Sequence, residues 1–116
     1  MAETIATPTD LPPIIREHLD AIVRLARAYE VERLEVFGSV MTDRFDPERS
    51  DVDFLVSMRE RGALDDFRRY VALGEALEAE LPVPFDLVFA DALRRDALRE
   101  DAARTRRVIY DATANS

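Results

Sequence analysis

The chain contains no cysteine and a single histidine, His18. Disulfide staples, thiolate catalysis and thiolate-bound zinc are thereby excluded, and a histidine-rich metal site is impossible. Any metal must sit on oxygen ligands, a donor set that favours hard cations such as Mg²⁺, held by one to a few carboxylates together with substrate phosphates. Long apolar runs are missing as well. None approaches the roughly 20 residues a membrane span needs, and the leading MAETIATPTDLPP has no signal-peptide core. These absences point to a soluble, cytoplasmic protein with no membrane attachment. A basic excess is also lacking: the formal charge is -8, so direct binding of long nucleic acid, which requires a basic face, is not expected. A nucleotide carried with its own cation remains compatible, and so does a basic protein partner.

With 116 residues, 47% of them hydrophobic and 34% charged, the sequence suits one domain with one modest core. The domain is expected over residues 11–112, between a flexible segment 1–10 and a flexible tail 113–116. Pro12 and Pro13 are tolerated at a helix start, with Asp10 as the expected N-cap. Ile14, Ile15, Leu19, Ile22, Val23, Ala26 and Tyr29 then recur at helical spacing, which predicts one helix with a core-facing stripe. The period changes at residues 33–37, which read as a strand ending at Gly38, and residues 52–57 read as another after a polar loop. A helix over residues 64–81 should turn Leu64, Phe67, Val71, Gly74 and Leu77 along one face. Residues 85–89 read as a further strand, helical signals return from Asp91, and Val108, Ile109 and Tyr110 should dock the C-terminus. So few elements imply an α/β (α+β) domain with a three- or four-stranded sheet covered by helices.

Two short segments carry chemistry. Val36-Phe37-Gly38-Ser39 places a glycine and a hydroxyl directly after an apolar strand, a turn whose backbone N–H groups can converge on a phosphate. On its own a Gly-Ser pair says little, because turn residues are common at strand ends. The second segment is Ser50-Asp51-Val52-Asp53-Phe54-Leu55-Val56. Strand side chains alternate, so Asp51 and Asp53 should face one side while Val52, Phe54 and Val56 enter the core. Paired carboxylates repel one another unless a cation lies between them. Asp86 is the single charge within residues 83–89. Should its strand lie beside the one bearing Asp53, it would serve as a third metal ligand or as the base for an incoming hydroxyl. His18 reads as an exposed or interface residue, and the arginines from Arg94 to Arg107 read as a solvated face or a partner contact.

Gly38-Ser39, eleven intervening residues, then Asp51-Val52-Asp53 resembles the Gly-Ser…Asp-x-Asp signature of DNA polymerase β-type nucleotidyltransferases. The resemblance runs from about Leu34 to Tyr110. It is nearest to the minimal nucleotidyltransferases (MNT), the antitoxin partners of HEPN-domain ribonuclease toxins, with Phe85-Asp86-Leu87-Val88 and Val108-Ile109-Tyr110 similar to the family's later strand and its ending. It implies a polymerase β-like fold, a small mixed sheet flanked by helices. It further implies that Gly38 and Ser39 hold the phosphates of ATP, that Asp51 and Asp53 bind two Mg²⁺ ions and that Asp86 completes the triad. The implied reaction is transfer of AMP to a tyrosine of a cognate HEPN toxin within a hetero-oligomer. The sequence departs from the family in having one extra residue in the spacer, and Val40-Met41-Thr42-Asp43 where many relatives carry a small residue and an Arg-Gly pair. Arg44 or Arg49 could supply that positive charge, and Arg49 is taken as the nucleotide-binding candidate. A subunit that neutralises by binding alone, or a transferase for another acceptor, also fits these residues.

Overall fold

The computed structural model describes residues 3–42, 46, 51–90 and 103–113. Arg44, Arg49 and nearly all of the helical segment expected from Asp91 lie outside that set. The elements run β1 (Thr4–Ile5), a 3₁₀ turn (Pro8–Asp10), α1 (Pro13–Arg16), α2 (Leu19–Ala28) and β2 (Val31–Phe37). A second 3₁₀ turn (Gly38–Met41), β3 (Val52–Met58), α3 (Ala63–Glu80), β4 (Phe85–Phe89) and β5 (Arg107–Asp111) follow. The sheet has five strands in the order β1-β5-β2-β3-β4. All its pairings are antiparallel except that of β3 with β4, which is parallel across the α3 crossover. The expected strands over 33–37, 52–57 and 85–89 are all present. The sheet exceeds the expected three or four strands because β5 enters between β2 and β1, while β1 adds an outer rung from within the N-terminal lead.

One helix was expected from residue 11 to about 29, and the structure divides it. The chain bends at Glu17 and His18, where His18 leaves helical geometry at φ -115 and ψ 13, and Pro12 rather than Asp10 precedes α1. Asp10 instead ends the preceding 3₁₀ turn. The stripe still works, since Ile15, Leu19, Ile22, Val23 and Ala26 are buried against Leu34, Val36, Val52, Phe54 and Val56 of the sheet.

The expected apolar face of α3 is corrected in part. Leu77 is buried and Gly74 is half-buried, but Leu73 makes the other fully buried contact. Leu64, Phe67 and Val71 are exposed by 64%, 56% and 39%. The helix is apolar on more of its circumference than the sheet can cover, so spacing alone does not select the arc that packs.

The two faces of the sheet differ. Helices α1, α2 and α3 pack on the face bearing Leu34, Val36, Phe54 and Val56. The other face carries a small separate cluster of Phe37, Leu55 and Val88, and the candidate site is built on it. No helix among the described residues is long and apolar enough to cross a membrane.

Candidate active site

Strand alternation puts every second residue of β2, β3 and β4 on the face opposite the helices. There Asp53 is in register with Phe37 of β2 on one side and with Asp86 of β4 on the other. Directly paired residues point the same way, so Asp53 and Asp86 stand side by side on neighbouring strands roughly 4.8 Å apart. Asp53 is half-buried and Asp86 is exposed. The β4 placement on which the Asp86 expectation depended is therefore present. Asp51 precedes β3 by one residue and is exposed.

β2 ends one residue before the turn. Gly38 adopts φ 86, a left-handed conformation that glycine enters without a Cβ penalty. Ser39 follows half-buried, and its carbonyl accepts from the Thr42 amide at 2.9 Å and the Thr42 hydroxyl at 2.8 Å, which closes the turn. Val40 is 4% exposed and belongs to the main core, with Met41 packed against it. The residues that differ from the family pattern thus anchor the turn to the protein interior. Because Phe37 is the register partner of Asp53, the Gly38-Ser39 turn emerges one strand away from the carboxylate pair.

The donor set suits a hard divalent cation: carboxylate oxygens only, two of them adjacent, with water access at Asp86. Among the described residues no three Asp, Glu, His or Cys side chains converge into a closed ligand set. Such a pair leaves coordination positions for phosphate and water oxygens, the way Mg²⁺ is usually held beside nucleotides. A cleft of about 350 Å³ lined by Glu32, Ser57, Glu60 and Asp66 lies at the other end of the strands, away from Gly38.

Two contacts beside the site join residues far apart in the sequence. Glu35 is 3% exposed inside β2 and faces the same side as its register partner Leu55. Its carboxylate accepts a two-pronged bond from Arg106, Nε to Oε1 at 2.9 Å and Nη2 to Oε2 at 2.7 Å. That bond raises the pKa of the guanidinium above its ordinary value. A buried carboxylate is tolerated when paired in this geometry. Thr105, in a helical turn just before Arg106, accepts the Gly38 amide on its hydroxyl at 2.8 Å.

A carboxylate pair thus lies beside a glycine-serine turn, on one face of a mixed sheet backed by helices. The nucleotidyltransferase domain model matches residues 15–109, and the chain belongs to that family. Among solved structures it is similar to a proposed minimal nucleotidyltransferase, at 32% identity with a TM-score of 0.55 over 80% of this chain and 90% of that one. A toxin–antitoxin structure with AMP-PNP shares the fold at 17% identity and a TM-score of 0.53, over 82% of this chain and 74% of that one. The toxin–antitoxin pair MntA-HpeT, in a variant with two aspartates changed to glutamate, does so at 15% identity and a TM-score of 0.54, with the same coverages. Comparison with curated proteins gave no match.

Proposed function

We propose that this chain is a Mg²⁺-dependent protein adenylyltransferase that moves AMP from ATP onto a tyrosine hydroxyl of a HEPN ribonuclease toxin, and so acts as its antitoxin. The observation that carries this reading is the in-register Asp53–Asp86 pair one strand from the Gly38-Ser39 turn. Asp51, Asp53 and Asp86 are the residues to hold the metal, which when bound neutralises charge on the transferring phosphoryl group. The Ser39 hydroxyl and the amides of its turn would hold the β- and γ-phosphates. Asp86, exposed at the sheet edge, would take the proton of the acceptor hydroxyl. The acceptor oxygen then bonds to the α-phosphorus, the bond from that phosphorus to its bridging oxygen breaks, and pyrophosphate leaves. Fold neighbours that are toxin–antitoxin assemblies, one of them with AMP-PNP, support a protein partner and an adenine nucleotide. The net charge of -8 suits a basic partner.

The test is transfer of label from α-phosphate-labelled ATP to the HEPN partner with Mg²⁺ present. Asp53→Asn should abolish it, and labelling by that variant at the wild-type rate would refute the assignment. One observation favours a second reading, neutralisation by binding alone: Val40 and Met41 enter or line the core where many relatives offer a basic group. On that reading the Asp51→Asn/Asp53→Asn double variant still protects cells from the toxin while no AMP is transferred.

A further inference from the structure

Gly38 and Glu35 lie three residues apart on one chain segment, and both are gripped by consecutive residues from the far end of the sequence. Thr105 accepts the Gly38 amide at 2.8 Å, and Arg106 forks the buried Glu35 carboxylate at 2.9 and 2.7 Å. We propose that Thr105 is a positioning residue for the Gly38-Ser39 turn, with the Arg106–Glu35 fork fixing where its hydroxyl stands. The inference rests on the nucleotide-binding reading of that turn.

The physical argument concerns the aim of donors. A glycine at φ 86 has no side chain to restrict it, so its peptide plane is free to swing unless something holds it. The Thr105 hydroxyl does this from outside the turn, on the Gly38 N–H. That bond fixes the Phe37–Gly38 peptide plane, the base from which the Gly38 φ and ψ aim the Ser39 amide and hydroxyl. Hydrogen bonds to phosphate weaken steeply once donor angles fall below about 120°, so a turn that swings binds nucleotide less well even with every donor present. The anchor is held because a carboxylate 3% exposed is costly to leave without its two-pronged Arg106 bond, the Arg33 guanidinium standing further off at 3.7 Å. The same bond commits the Gly38 N–H to the protein, leaving the later groups of the turn to read phosphate. Thr105 acts through Gly38, whose amide it accepts.

The test uses the full chain and the Thr105→Val, Thr105→Ala and Thr105→Ser variants. Two quantities are read below the unfolding transition: hydrogen exchange at the Gly38 amide, and calorimetric affinity for AMP-PNP with Mg²⁺. Thr105→Val keeps the shape and loses the acceptor, so Gly38 exchange should accelerate and affinity should weaken about tenfold, the scale of one neutral hydrogen bond. Thr105→Ser should restore both to within about twofold. Thr105→Ala, which removes the hydroxyl with less bulk, should behave as Val does and replaces it should Val not fold. If wild type binds nucleotide and the hydroxyl-free variants bind equally well, the inference is overturned while the transferase reading stands. A wild-type chain that takes no nucleotide overturns both. Loss of affinity in the Ser variant equal to that in Val also overturns the inference, because bulk rather than the hydrogen bond would then be responsible.

Discussion

At Gly38 the backbone stands at φ 86, where an ordinary residue loses roughly 1–2 kcal/mol. Gly38→Ala should therefore lower the melting temperature by about 4–8 °C and weaken nucleotide binding together with it, since the turn would relax away from this geometry. Gly74 sits within α3, where a Cβ would meet only the Leu87 Cδ2 at 3.9 Å, an ordinary contact. Gly74→Ala should raise stability by about 0.5–1 kcal/mol through helix propensity, read as a higher urea midpoint with unchanged nucleotide affinity. The same scale shows which site residues could be read from sequence. Asp53 and Asp86 stand out because an acid inside an apolar strand is disfavoured and calls for a reason. Glu35, between Leu34 and Val36, carries the same anomaly, but its partner Arg106 lies 71 residues away. Thr105, 67 residues from Gly38, offers no anomaly at all, because a threonine among arginines is unremarkable until the chain is folded.

Elements are joined at the end of the sheet away from the site by one arginine. The Arg69 side chain, 13% exposed, donates to the carboxylates of Asp65 at 2.8 Å and Asp66 at 2.6 Å and to the carbonyls of Tyr29 and Glu30 at 3.0 Å. It also donates to the Arg59 carbonyl, so α3 is tied to the end of α2 and to the residue after β3. Arg69→Ala should cost about 1–3 kcal/mol, the scale of leaving part-buried hydrogen-bonding groups without their donor. Because the pin sits opposite Gly38 and Asp53, affinity for AMP-PNP at low temperature should stay within twofold of wild type, and calorimetry on the folded variant checks this. A weaker tie holds β1, where Arg27 donates to Glu3 from Nε at 2.7 Å and also from Nη2. The bond lowers the pKa of Glu3, so its contribution is complete above the ordinary glutamate value of about 4.3 and is lost as pH falls through the lower folded value. Acidification should deprotect the Ala6 amide, which donates to the Ile109 carbonyl at 2.9 Å, before the central strands open; exchange measured across that range checks the order. β1 and β5 were the elements least legible in sequence, since two residues make no period and β5 is defined by neighbours from distant parts of the chain. The bend at Glu17 and His18 has no glycine or proline to announce it, and α3 offers two apolar arcs of nearly equal quality.

For the molecule as a whole, the order β1-β5-β2-β3-β4 makes the C-terminal strand an interior member of the sheet. β5 pairs with β2 on one side and β1 on the other, and it places Ile109 and Tyr110, exposed by 0% and 4%, in the core. The same segment delivers Thr105 and Arg106 to β2, so it serves stability and the site together. Removing residues 105–116 would forfeit roughly 3–6 kcal/mol of apolar burial at those two positions alone, and would strand β1, expose the β2 edge and take the two-pronged Arg106 bond from Glu35, leaving it the more distant Arg33 at 3.7 Å. A domain of this size holds a net stability of only about 5–15 kcal/mol, so the truncated chain should lose its cooperative thermal transition. Removing residues 1–5 instead takes away an outer strand of two exposed residues and the surface Arg27–Glu3 ion pair, small losses beside those of β5. That shortened chain should melt cooperatively within about 10 °C of wild type and still bind AMP-PNP. Circular dichroism melts of the two truncations decide the matter. A cooperative transition in the chain lacking 105–116 would mean that the core closes without β5, and that the C-terminal segment serves the turn alone.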